Sequence, residues 1–333
     1  MERDMIVFLS WHNSLPGFIS DMYKRLTLPK SFISTGFLKG LNDRNLMAAP
    51  NSFKVENNHK IINLLRKLNT SHVVVWNGDF DDDKRGHQVG LIKLIKSSLP
   101  KIKFVYCEHG WMPQNATFSM DSLGSNGSSS ATLRNDIPKK PTLQPVYNKR
   151  KHYVNASNPV SETNYLYLPL QLNTDTQITK YSPHFKDMAN LISHVSKLFP
   201  TEKIVVKAHP KDTPHNIERY RSLCNRISNA KFVMDSNNIG WCRYAKGVIA
   251  INSTVINEAL VFNKPVMTYG LNTFSGKGVT YEINDINDIE KQKDFVNWQP
   301  DESTIEEYIC WILSLQFDRR NPNMKKVLEY FKL

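Results

Sequence analysis

The sequence predicts an α/β protein with two Rossmann-like lobes, and three observations carry that prediction. Short apolar runs recur along the chain at Ile6–Leu9, Val73–Trp76, Ile102–Tyr106, Leu166–Leu170, Ile204–Val206 and Gly247–Ile251. Longer helical-looking segments lie between them, the pattern of strands feeding helices in parallel sheets. A polar tract rich in Gly, Ser, Asn and Pro, DSLGSNGSSSATLRNDIPKKPTLQPVYNKRKHYVNASNPVSETN, separates two strand-rich halves and reads as loops.

Taken in order, Ile6–Leu9 is the opening strand, and the turn after it in FLSWHNS offers Ser10, His12 and Asn13. Val73–Trp76 runs into WNGDFDDDKRG, where Asp79, Asp81, Asp82 and Asp83 precede Lys84 and Arg85. A divalent cation held against a sugar diphosphate is one reading of that acidic run; a solvated loop is the simpler one. Ile102–Tyr106 leads to Glu108 at a strand end, after which Gly110 and Pro113 turn the chain tightly. Asp121, Asn126, Ser128 and Ser129 follow, either as loop chemistry or as the lining of a polyhydroxylated ligand.

The second half opens with YLYLPLQLNTDTQI, a buried strand followed by Gln171 and Asp175. In EKIVVKAHPKD the strand ends in Lys207, His209 and Pro210, and ligands of open α/β sheets sit at such carboxyl ends. KGVIAINSTVINEALVFNKPVMTYG then gives a strand, Asn252, Ser253 and Thr254 at a helix start, Glu258 one turn inside it, and a second short strand after Pro265. Hydroxyls and free N–H groups at a helix start suit a phosphate, and Glu258 suits ribose hydroxyls. The last segment begins with a capping-box pattern, Ser303 to Glu306, with Ile305, Tyr308, Ile309, Ile312 and Leu313 on one helical face.

Composition narrows the function classes. The chain has 333 residues, 40% of them hydrophobic, enough for sizeable cores, and the lobe boundary falls near residue 160. A net charge of +12 implies an anionic partner, but the basic residues are spread out and lack the arginine–aromatic pattern of a nucleic-acid module, so no nucleic acid is expected. The cysteines Cys107, Cys224, Cys242 and Cys310 show no metal-ligand spacing, which fits a reducing cytoplasm. No apolar run approaches the ~20 residues of a membrane span, and a signal-peptide pattern is lacking, so a soluble or peripheral protein is expected.

The ordered set WNG, Glu108-x-Gly110 with Pro113, DSLGSNGSSS, PLQLNTDTQI, KAHP, INSTVINEAL and YGLNTFSGKGVT resembles the bacterial capsule and lipopolysaccharide β-Kdo transferases, retaining enzymes that use CMP-β-Kdo. The resemblance implies a GT-B architecture: lobes over 1–160 (acceptor) and 161–305 (CMP-sugar) with a cleft between them, and C-terminal helices, 306–333, packing back on the first lobe. It implies that His209, Pro210, Ser253 and Thr254 hold CMP, with Lys207, Asn252 and Glu258 expected beside them, that Asp175 is the catalytic nucleophile, and that Glu108 is the acceptor's base or orienting group; His209 is also expected to be catalytic, neutralising the departing phosphate. Gln171 and Lys277 are expected to engage the sugar acid, with Asn126, Ser128 and Ser129 on the acceptor side. It implies a polyprenyl- or lipid-linked oligosaccharide acceptor; the basic residues Arg319, Arg320, Lys325 and Lys326 leave room for contact with an anionic inner-membrane surface, and a CMP leaving group calls for no cofactor or metal. Alternatives are an inverting CMP-sialic-acid-type transferase, a CDP-polyol phosphotransferase and a non-catalytic polyanion-binding module.

Overall fold

The computed structural model describes residues 5–12, 17–38, 52–55, 57–79 and 90–332. Asn13 and Asp81 to Asp83 lie outside the described residues. Contacts divide the chain into two units: one runs to Ser130 and resumes at Leu315, and the other is Ala131–Ser314.

The strands of the first unit are β1 (Met5–His12), β2 (Lys30–Leu38), β3 (Ser52–Lys54), β4 (Thr70–Trp76), β5 (Lys103–His109) and β6 (Thr117–Asp121). Those of the second are β7 (Tyr165–Pro169), β8 (Lys203–Lys207), β9 (Ala230–Val233), β10 (Gly247–Ala250), β11 (Val266–Thr268) and β12 (Tyr281–Glu282). A final strand, β13 (Gln316–Asp318), returns to the first sheet.

The first sheet has the order β13-β6-β5-β4-β1-β2-β3, parallel except where β6 pairs antiparallel with β5 and β13. Alternate residues of a strand point to opposite faces. Accordingly Val74, Val105 and Cys107 pack against Phe18 and Met22, while Val73, Val75, Phe104 and Tyr106 pack against Ile61, Leu65, Leu91 and Ile95. With helices on both faces, a strand must be apolar throughout, which is why these strands read as unbroken hydrophobic runs. Chain order runs outward from β1 through β2 to β3, then restarts with β4 on the other side of β1.

The second sheet is wholly parallel in the order β12-β11-β10-β7-β8-β9. All five residues of β7 are buried. Leu166, Leu168, Ile204, Val206 and Ile249 share one core cluster, and each such side chain contributes roughly 1.5–3 kcal/mol relative to exposure. Here the chain restarts between β7 and β10, so the switch point where α/β sheets bind ligands lies at the carboxyl ends of those strands.

Two sequence expectations change. The polar tract is not all loop: Gln144–Ala156 is a helix, started by Pro145 in its first turn. Val146 and Tyr153, seven residues apart on one helical face, are buried, while Arg150 bonds to the Val261 carbonyl at 2.8 Å and pairs with Glu306 at 3.2 Å. The tract therefore packs into the second unit, and the division between units falls at Ser130/Ala131 rather than near 160. The helix Glu302–Leu315 belongs to the second unit up to Ser314, so it is the following residues, not those from 306, that join the first. Its cap is Asp301, which accepts from the Thr304 N–H at 2.8 Å, so the box read at Ser303 starts two residues late.

Candidate functional site

In the second unit the carboxyl ends of β7, β8 and β10 gather most of the predicted residues. Lys207 is the last residue of β8 and is 4% exposed. Its Nζ has no hydrogen bond or ion pair among the described residues, and burial lowers its pKa against the opposing pull of Asp235, Glu258 and Cys242. Two residues on, His209 accepts from the Lys211 N–H at Nδ1 (3.1 Å). Burial pushes its pKa down, while the Asp175 carboxylate pulls it up.

Asp175 caps the helix Thr176–Tyr181, with Oδ1 accepting from the Gln177 N–H at 2.9 Å. Its second oxygen makes no bond to a described residue. The cap fixes the side chain at the start of that helix.

Glu258 sits in the first turn of the helix Val255–Val261. Its Oε2 is fully buried without a hydrogen-bond partner. Burial drives its carboxyl up to about 7, with Lys207 working in the other direction. A buried oxygen without a partner costs about 1–3 kcal/mol, so this arrangement favours an incoming donor. Ser253 acts partly as a cap, its Oγ accepting from the Val255 N–H at 3.3 Å, whereas Thr254 makes no side-chain bond to the helix end. Pro210 is exposed.

Gln171 and Asn252 are brought together but spend their amides on one another. Gln171 Nε2 donates to Asn252 Oδ1 at 2.9 Å, and the Asn252 N–H donates back to Gln171 Oε1 at 3.2 Å. Asn252 Nδ2 also donates to the Gln177 carbonyl at 2.9 Å, and its own carbonyl accepts from Asn272 at 2.8 Å. The pair ties the segment after β7 to the segment after β10 and so aligns Asp175 with the Ser253 turn. Ligand contact was expected of both; the structure uses their amides as scaffold. Lys277 is likewise occupied: Nζ donates to the carbonyls of Arg134 (2.8 Å), Ser275 (2.9 Å) and Thr132 (3.5 Å), and it lies 5.7 Å from the Trp311 ring centre. Burial lowers its pKa to about 8. A sugar carboxylate would have to displace one of these carbonyls.

In the first unit, Glu108 accepts from the His109 N–H at 2.8 Å and is half-buried at the end of β5. Asn126 donates to Asp79 at 2.9 Å, Ser128 to the Ser125 carbonyl at 2.7 Å and Ser129 to the Asn126 carbonyl at 2.8 Å. Asp121 accepts from the N–H groups of Leu123, Gly124 and Ser130. The loop's own architecture therefore engages these side chains, which favours loop chemistry over the polyhydroxylated-ligand lining. Sequence reasoning passed over Asp235, which receives the Trp241 indole N–H at 2.8 Å and bears electrostatically on Lys207; its place just after β9 was the available signal. It also passed over Gln316, and it read Arg319 only as a basic group facing a membrane surface; the partners of both lie some 200 residues earlier.

Among the described residues no group of three or more His, Cys, Asp and Glu is placed to hold a metal ion, and no helix is long and apolar enough to cross a membrane.

Comparison with known proteins follows the same lines. Residues 138–299 match the family described as capsule polysaccharide biosynthesis protein. The chain is 25% identical over 228 residues to Protein FixF of Sinorhizobium fredii, covering 63% of this chain and 53% of that protein. It is 33% identical over 146 residues to Capsule polysaccharide export protein KpsS of Escherichia coli, covering 40% of this chain and 36% of that one. The chain thus spans about half or less of the length of these relatives. Among solved structures, the β-Kdo 2,7 transferase of Thermosulfurimonas dismutans KpsC matches with a TM-score of 0.60 at 16% identity, over 95% of this chain and 92% of that one. At that identity the likeness speaks for the fold. The match over residues 138–299 agrees with the capsule side of the resemblance read from the motifs, and the α/β fold class with two sheets is borne out.

Proposed function

We propose that this chain, whose residues 138–299 carry the capsule polysaccharide biosynthesis match, is a retaining glycosyltransferase that moves Kdo from CMP-β-Kdo to a saccharide acceptor, lipid-linked, in polysaccharide synthesis. One observation carries the reading. At the β7/β10 switch point an unpaired buried ammonium (Lys207), an imidazole (His209) and a carboxyl with an unpartnered buried oxygen (Glu258) converge beside a capped carboxylate with one open oxygen (Asp175). That set suits a ribose phosphate attached to a group undergoing substitution.

In this mechanism Asp175 attacks the anomeric carbon, the bond from that carbon to the phosphate oxygen breaks, and CMP departs with the electron pair. Lys207 and His209 stabilise the charge gathered on the phosphate, and Glu258 receives the ribose hydroxyls. The acceptor hydroxyl then attacks the same carbon, its proton passes to a base, and the ester to Asp175 breaks. Two inversions give retention, the logic of retaining glycosidases. The family resemblance assigns the base role to Glu108. The reading predicts CMP release from CMP-Kdo and an anomeric configuration in the product matching that of the donor. Release without transfer to any saccharide, or an inverted product, would remove it.

A further inference from the structure

Gln316 of β13 and Arg319, the residue after that strand, hold the turn that follows Glu108. The turn Gly110–Thr117 closes through the Gly110 N–H to the Thr117 carbonyl at 2.9 Å. It closes so tightly that a Cβ at Gly110 would lie 2.1 Å from Thr117 Oγ1. Gln316, on β13, accepts the N–H groups of Trp111 and Met112, each at 3.1 Å, and donates to the Met112 carbonyl at 2.7 Å. Arg319 donates from Nε to the Thr117 carbonyl and from Nη2 to the Gln114 carbonyl, each at 2.9 Å. The same Nη2 reaches His109 Nδ1.

That last contact has a chemical consequence. A guanidinium only donates, so Nδ1 must offer its lone pair and the ring proton must sit on Nε2. Ring contacts with Phe18 at 5.6 Å and Trp76 at 6.0 Å fix the plane of the imidazole, and Arg319 itself lies 4.8 Å from the Phe18 ring centre. Glu108 adds a favourable charge to the half-buried guanidinium, whose pKa burial lowers.

We propose that Gln316 and Arg319 are positioning residues for the Glu108–His109 end of β5: they clamp the turn that sets the strand's exit and hold His109 in the Nε2–H tautomer. The tautomer stands on geometry alone; its importance for turnover rests on the transferase reading above. Misplacing a reacting group by about 1 Å can cost on the order of 100-fold in rate. Loss of the clamp is therefore expected to slow transfer from CMP-Kdo by about that factor, leaving CMP affinity unchanged.

The test pairs nitrogen-15 NMR of the His109 ring with transfer kinetics and CMP titration. Wild-type protein should show Nε2 protonated and Nδ1 bare. Arg319→Ala should lose the fixed tautomer together with the rate. Should that variant fail to fold, Gln316→Glu keeps an acceptor for the Trp111 and Met112 N–H groups but removes the donor to Met112; it should lose rate while keeping the tautomer. An Nδ1–H ring in the wild type, or wild-type turnover in a folded variant, overturns the proposal. If wild-type protein were inactive on CMP-Kdo the transferase reading would fall, while the His109 spectrum would still decide whether the clamp exists.

Discussion

Replacing Glu258 by Gln should make the protein more stable at pH 8 and leave it nearly unchanged at pH 5. Burial raises this carboxyl from an ordinary 4.5 to about 7, Lys207 offsetting part of the effect. Between those values the folded state holds a proton that the unfolded chain has already released. Stability is therefore present below about 4.5 and is lost as the pH rises through about 7. At about 1.4 kcal/mol per pH unit, the ionised carboxylate costs the fold about 3 kcal/mol above neutrality. The amide resembles the neutral acid in shape and cannot ionise, so the variant escapes that cost only where the wild type pays it. Urea midpoints of both proteins at pH 5 and pH 8 measure the difference, and other titrating groups cancel between them. A variant-to-wild-type gap that is the same at both pH values would refute the burial of this carboxyl, and with it the idea that the site holds an unmet acceptor in advance of a ligand.

The other predictions concern the same strand ends. Asp175→Asn should lower transfer by roughly 10,000-fold or more while CMP titration stays at its wild-type value, because an amide is a poor nucleophile. His209→Ala should weaken CMP binding by about 10- to 100-fold, the worth of a hydrogen bond to a charged group, with less effect on acceptor KM. Asn252→Ala strands Gln171 Nε2 and takes one donor from the Gln177 carbonyl, so denaturant unfolding should register a loss of about 1–3 kcal/mol.

The strands were legible because both faces of each sheet are covered. Runs such as YLYLP and KIVVK have no solvent side and so no polar alternation to obscure them. The helix Gln144–Ala156 was not, since only Val146 and Tyr153 of its thirteen residues are buried and its polar remainder looks like a linker. Within the site, the polar residues that end strands were found, because Lys207, His209 and Glu258 follow directly from strand and helix boundaries. What sequence cannot reveal is which polar groups satisfy one another. Gln171 and Asn252 have the composition of ligands, yet the chain folds back to pair them across a separation of 81 positions. Lys277 looks like a partner for a carboxylate until three carbonyls close round it. The role of Arg319 is invisible for the same reason: it exists only once β13 has paired with β6.

The central claim concerns a bond, and mass spectrometry can weigh it. Protein mixed with CMP-Kdo in the absence of acceptor, quenched in acid and digested, should yield the peptide containing Asp175 heavier by one Kdo residue, with an equal amount of CMP in solution. An adduct on another peptide, or CMP released with every peptide at its unmodified mass while the quench demonstrably preserves acyl esters, would contradict it.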